Sequence, residues 1–182
     1  DRHQAWDHIL RCCRQETPQQ LTNDGEPFGL ELNLSDLNLP SLPDLDADFS
    51  HVGSLKLSNM NLRTSPEGFL ARFRGVRWLD VSKNQLRELP PAVGQMHGLT
   101  RLSLQNNRIR LTADSAAILS SRTTLKALVL NSNPLSRAPD FSQMTNLHSL
   151  GMGATGLDTW PTGLDELPLL DMVYLRGNNI ST

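Results

Sequence analysis

Cysteine is nearly absent from this chain: 182 residues contain two, Cys12 and Cys13, adjacent in sequence. Vicinal cysteines rarely bond to each other because the geometry is poor, so no disulfide framework can be drawn. His8 and Cys12, at i and i+4, give two ligands where a zinc site needs more. Aromatic residues make up 5% of the chain, so its core must be aliphatic. No apolar run approaches the roughly 18–20 residues of a membrane-spanning helix. Lys and Arg number 17 against 19 acidic residues, a net charge of −2, and they form no run. Neither a nucleic-acid surface nor an anionic-membrane surface is indicated. There is no Gly-rich phosphate loop, HExxH, GxSxG or CxxC, and the five histidines are scattered. No catalytic residue, cofactor site or metal site is expected here, so this chain is read as no enzyme.

What the chain does have is one skeleton repeated seven times: an apolar residue, then apolar residues three, five and ten positions on. A clear copy reads Val76, Leu79, Val81, Asn84, Leu86, and the next Leu99, Leu102, Leu104, Asn107, Ile109. The copies start at Gly29, Val52, Val76, Leu99, Leu125, Leu147 and Leu170, at intervals of 22 to 26 residues. This pattern resembles the leucine-rich repeat. It implies an α/β solenoid, a horseshoe with a parallel sheet on its concave face. The fourth and sixth positions alternate at period two, which predicts a short strand with one buried face in every repeat. The return segments carry Leu-Pro-like pairs (Leu42-Pro43, Leu89-Pro90, Trp160-Pro161) that turn the chain toward the convex side. Phe69, Phe73, Val93, Met96, Phe141, Met144, Leu164 and Leu167 should fill the back of the core. Within the longest interval, Thr112 or Asp114 caps a predicted helical turn.

Asn at the ninth position (Asn84, Asn107, Asn133, Asn178) should satisfy backbone groups of neighbouring turns, while Leu37, Met60 and Thr155 depart from the pattern. Residues 1–28 lie outside the repeat. Trp6, Ile9, Leu10 and Cys13 share one helical face, predicting an N-terminal capping helix that ends before Pro18. The expected organisation is a helical cap over 1–28 and a repeat domain over 29–182. The chain opens at Asp1 without a signal peptide and stops inside the seventh repeat, so a longer protein is expected.

Candidate function resides on the concave face, at the third, fifth and seventh repeat positions. Most of these residues are small and polar. Two places differ. In the middle, Trp78 stands beside Lys56, Asp80 and Arg101. Near the end, Met172, Tyr174 and Arg176 lie next to a bare patch, Gly151-Met152-Gly153. Trp, Tyr and Arg are enriched at interface hot spots, so both clusters are candidate partner-binding sites. The competing reading is that Trp78 merely packs on the aliphatic stems of Lys56 and Arg101.

The segment Leu86–Ile109 resembles repeats of the intracellular type. The absence of cysteine-rich flanking caps points the same way. A narrower resemblance is carried by Trp6, by Leu42-Pro43 and by Asp48-Phe49-Ser50-His51-Val52. These are similar to bacterial leucine-rich-repeat effectors, which join their repeats to a novel E3 ubiquitin ligase domain. That resemblance implies a secreted protein acting in host cytoplasm, with repeats that select a ubiquitination substrate. Its catalytic Cys would lie in a domain outside this chain. The repeats here run mostly 22–24 residues, longer than is usual in those effectors. Two functions therefore stand at this point: substrate recognition for a ligase, or an intracellular signalling scaffold with no attached enzyme.

Overall fold

A computed structural model describes residues 2–14, 19–21 and 27–180, and side chains over 2–14 and 29–180. Pro18, Ser181 and Thr182 lie outside these. The elements follow the repeats. Helix α1 (Arg2–Cys13) and strand β1 (Gln19–Leu21) come first. Strands β2 (Pro27–Asn33), β3 (Val52–Lys56), β4 (Trp78–Asp80), β5 (Arg101–Ser103), β6 (Ala127–Val129), β7 (Ser149–Gly151) and β8 (Met172–Tyr174) come from the seven repeats. They form one open sheet in chain order, parallel from β2 to β8.

Register is constant along the solenoid. Leu32, Leu55, Leu79, Leu102, Leu128, Leu150 and Val173 pair strand to strand as one row. All but the last are buried. Val173 stands in the same row yet is 43% exposed, because among the described residues no strand covers the far side of β8. The return segments close the back of the core, and Phe69, Phe73, Val93, Met96, Phe141, Met144, Leu164 and Leu167 are all buried there. The Pro of the sixth return is buried, but its neighbour Trp160 is 49% exposed. The longest interval accommodates α2 (Ala113–Ser120), capped by Thr112: its Oγ1 accepts the Ser115 N–H, and the Ser115 hydroxyl accepts the Thr112 N–H. This reciprocal cap satisfies two orphan donors at once.

The amino-terminal cap differs from the sequence expectation in two ways. First, α1 buries Ala5, Ile9 and Cys12, while Trp6 and Leu10 stay nearly half exposed and Cys13 faces solvent. The helix packs against β2, and His51 Nε2 hydrogen-bonds the Cys12 carbonyl at 2.9 Å. Small residues at 5 and 12 permit close approach on either side of Ile9, which rotates the larger Trp6 and Leu10 outward. Second, residues 19–21 form a strand, antiparallel to β2. It pairs the edge that β2 would otherwise leave open, a standard protection against edge-to-edge association.

A further regularity lies just after each strand. Position eight of all seven repeats (Asp36, Asn59, Lys83, Asn106, Ser132, Ala154 and Gly177) has a left-handed backbone, with φ between 54° and 78°. The following ninth-position Asn then points inward. Asn107 Nδ2 donates to Val81 O of the preceding repeat and to Leu104 O of its own, while its Oδ1 accepts the Leu86 N–H. Asn84 and Asn133 repeat this arrangement. Each amide thus ties one repeat to the one before it, and satisfies backbone groups that burial would otherwise leave unpaired.

Candidate functional site

The strand register aligns the third positions as Glu31, Ser54, Trp78, Arg101, Ala127, Ser149 and Met172. The fifth positions align as Asn33, Lys56, Asp80, Ser103, Val129, Gly151 and Tyr174. Both rows lie on the face opposite the core, since successive strand residues alternate sides. Lys56, Trp78, Asp80 and Arg101 therefore occupy adjacent strands β3, β4 and β5.

Trp78 is half-buried between two cations. Lys56 Nζ lies 4.2 Å from the indole ring centroid and the Arg101 guanidinium carbon 4.0 Å from it, one from each neighbouring strand. Contacts of this length are cation–π interactions, each stabilising by about 0.5–1 kcal/mol at an exposed site. Lys56 also pairs with Glu31 at 3.3 Å. Arg101 is exposed and in no ion pair among the described residues. Trp78 thus meets Lys56 and Arg101 through their charged ends rather than their aliphatic stems alone, and this fixes the ring on the face. Asp80 takes no part in it. Its Oδ1 accepts both the N–H and the hydroxyl of Ser82, at 2.9 and 2.6 Å. Ser54, directly beside Trp78 in register, is fully buried despite standing on the outer face, and its hydroxyl has no partner.

The second cluster differs from the expected bare patch. Met152 points into the core and is fully buried. Gly151 and Gly153 are buried too, because side chains from neighbouring repeats cover them. The Tyr174 ring occupies the space where a Cβ on Gly153 would stand, and Asn131 Oδ1 lies 2.7 Å from a Cβ position on Gly151. Asn131 Oδ1 also accepts the Gly153 N–H at 2.9 Å. The glycines therefore admit Tyr174 and Asn131 rather than leaving a gap. Beside them a hollow of about 490 Å³ opens, lined by Val129, Gly151, Met172 and Tyr174, with Asn131 at its rim. Met172 is 67% exposed and Tyr174 50%. Arg176 is exposed two residues beyond β8.

Position two of the repeats adds surface charge outside the concave rows. Arg77, Lys126 and Asp171 immediately precede β4, β6 and β8, and all three are exposed. The signal available in the sequence was their fixed place one residue before the aligned third positions.

No family model matches the chain. It is similar to human vasorin, with 40% identity over 81 residues that span 44% of this chain and 12% of vasorin. It is similar to human podocan-like protein 1, with 30% identity over 145 residues that span 79% of this chain and 28% of that protein. Among solved structures, a leucine-rich-repeat protein of Leptospira interrogans superposes with a TM-score of 0.66 at 26% identity, over 83% of this chain and 44% of that one. The chain thus spans well under a third of either curated relative.

Proposed function

We propose that this leucine-rich-repeat protein is a recognition module that binds a protein partner on the concave face of its sheet. Trp78 is the central anchor, with Lys56 and Arg101 around it, and Met172, Tyr174 and Arg176 form a second contact. One observation carries this reading: a large indole, half-buried and clamped between two cations, stands on a face whose other residues are mostly small and polar. A side chain already held in one position loses little freedom on binding, which favours its use as an anchor.

The test is capture of a partner from lysate, followed by affinity measurement with wild type and Trp78→Ala. Loss of about 2 kcal/mol or more is the expected result for an anchor. Unchanged affinity with an intact fold moves the interface elsewhere.

The finer reading, that the bound protein is a ubiquitination substrate, rests on the resemblance carried by Trp6, Leu42-Pro43 and Asp48–Val52. The alternative is a signalling scaffold with no attached enzyme. Ubiquitin transfer to the captured partner by the full-length gene product separates the two.

A further inference from the structure

The strand register sets two cations beside Trp78. Net charge is −2, yet Lys56 and Arg101, on the strands either side of Trp78, both stand over its ring. The two acids beside them are engaged: Glu31 pairs with Lys56, and Asp80 with Ser82. Arg101 is left as an exposed guanidinium held over the indole. A guanidinium so fixed is ready to receive a carboxylate in bidentate fashion.

The second feature is the hollow over Gly151, with Val129, Met172 and Tyr174 around it. Its floor is low because β7 carries glycine where β6 carries Val129 and β8 carries Tyr174. Arg101 is on β5 and Gly151 on β7, two strands apart. At about 4.8 Å per strand, the two features are roughly 10 Å from each other. An extended chain rises about 3.3 Å per residue, so some three residues bridge that distance.

From these two features, and resting on the concave-face reading above, we propose that the partner is an acidic, extended peptide segment. It lies across the strands, sets an Asp or Glu on Arg101 beside Trp78, and sets an aliphatic side chain about three residues away into the hollow over Gly151. Charge complementarity selects the carboxylate. The hollow, with Val129, Met172 and Tyr174 in its wall, selects the apolar residue. Asp80 and Glu31 on the same face disfavour a polyanion such as single-stranded nucleic acid.

The experiment uses the 182-residue chain and a phage-displayed library of random twelve-residue peptides. Enriched peptides are then titrated by fluorescence anisotropy against wild type, Arg101→Glu, Gly151→Leu and Trp78→Ala, each first checked for folding by circular dichroism. A side chain at 151 enters the hollow, and its Cβ displaces the side-chain end of Asn131, which gives up its bond to the Gly153 N–H. The expected result is enrichment of Asp or Glu two to four residues from Leu, Ile, Val or Met. Arg101→Glu and Gly151→Leu should each weaken binding about tenfold or more, and replacing the peptide acid by Arg should restore binding to Arg101→Glu. Enriched peptides without acids that still lose affinity in Trp78→Ala overturn this proposal and leave the concave-face reading standing. Peptides indifferent to all three variants overturn both. A library that yields no binder overturns the proposal, as does an oligouridylate that binds more tightly than every peptide.

Discussion

The hydroxyl of Thr155 donates to Oδ1 of Asn178 at 3.1 Å, so the ninth positions of repeats six and seven meet side chain to side chain. The Asn178 amide also reaches the backbone of the preceding repeat, at Met152 O and Leu157 N, as Asn133 does at Leu104 O and Ile109 N. Thr155 is too short for that. Its one hydroxyl proton is shared between the Asn178 amide oxygen and Met152 O of its own repeat, and among the described residues no side-chain bond runs from it back to repeat five.

The ladder therefore has a missing rung between repeats five and six. Register is the same there as elsewhere, so Thr155→Asn should supply the rung and stabilise the chain by about 1 kcal/mol. Asn107→Ala should do the opposite, costing about 1–3 kcal/mol, because it leaves the buried Leu86 N–H without its acceptor. Urea denaturation midpoints check both. A Thr155→Asn protein no more stable than wild type would rule out a transferable rung.

Ser54 is the place where the outer face departs from its own pattern. Its hydroxyl is buried next to Trp78 and unpartnered, and an unpaired buried hydroxyl costs about 1–3 kcal/mol. Ser54→Ala should raise stability by about 1 kcal/mol and leave Trp78 fluorescence unchanged. Destabilisation in thermal unfolding would mean the hydroxyl has a partner after all.

Left-handed backbone at position eight costs a residue with a Cβ about 1–2 kcal/mol unless a polar side chain offsets it. Asn59 and Asn106 suit that conformation, and Asn59 Nδ2 also donates to Asp36 Oδ1. Ala154, at φ 54°, has no such compensation. Ala154→Gly should therefore stabilise by about 0.5–1 kcal/mol, net of the glycine entropy cost. Equal or lower chemical stability of the variant counts against strain at this position.

The core rows and the strand register were legible in the sequence because period two, repeated seven times, leaves no freedom: a slip of one residue would turn Leu79 or Leu102 outward. The line of Trp78, Arg101 and Lys56 followed from the same register. What escaped were features set by docking rather than period. The buried face of α1 turned on the smallness of Ala5 and Cys12, which hydrophobic spacing ranks below Trp6 and Leu10. Strand β1 is three residues long, too short for alternation to show. The covering of Gly153 by Tyr174 joins residues 21 apart on different repeats, and glycine alone does not say what fills its space.

Two return segments share the triplet Asp-Phe-Ser, at 48–50 and 140–142, and each sets its Phe in the core. In both, the Asp carboxylate accepts the N–H of the Ser two residues on, at 3.0 Å for Asp48 and 2.9 Å for Asp140. That backbone bond, followed by the Ser hydroxyl, holds each carboxyl below the ordinary value of 3.8. A group whose folded value is depressed adds stability above its unfolded value and loses it as pH falls through the folded one. Both turns should thus weaken on acidification below pH 3.8. The Asp48→Asn, Asp140→Asn double variant keeps an accepting oxygen but carries no titrating charge. Its thermal midpoint should sit slightly below wild type at pH 6 and approach it as the pH falls below 3.8, when followed by circular dichroism. A gap between the two proteins that stays constant over that range would mean these carboxylates do not couple titration to folding.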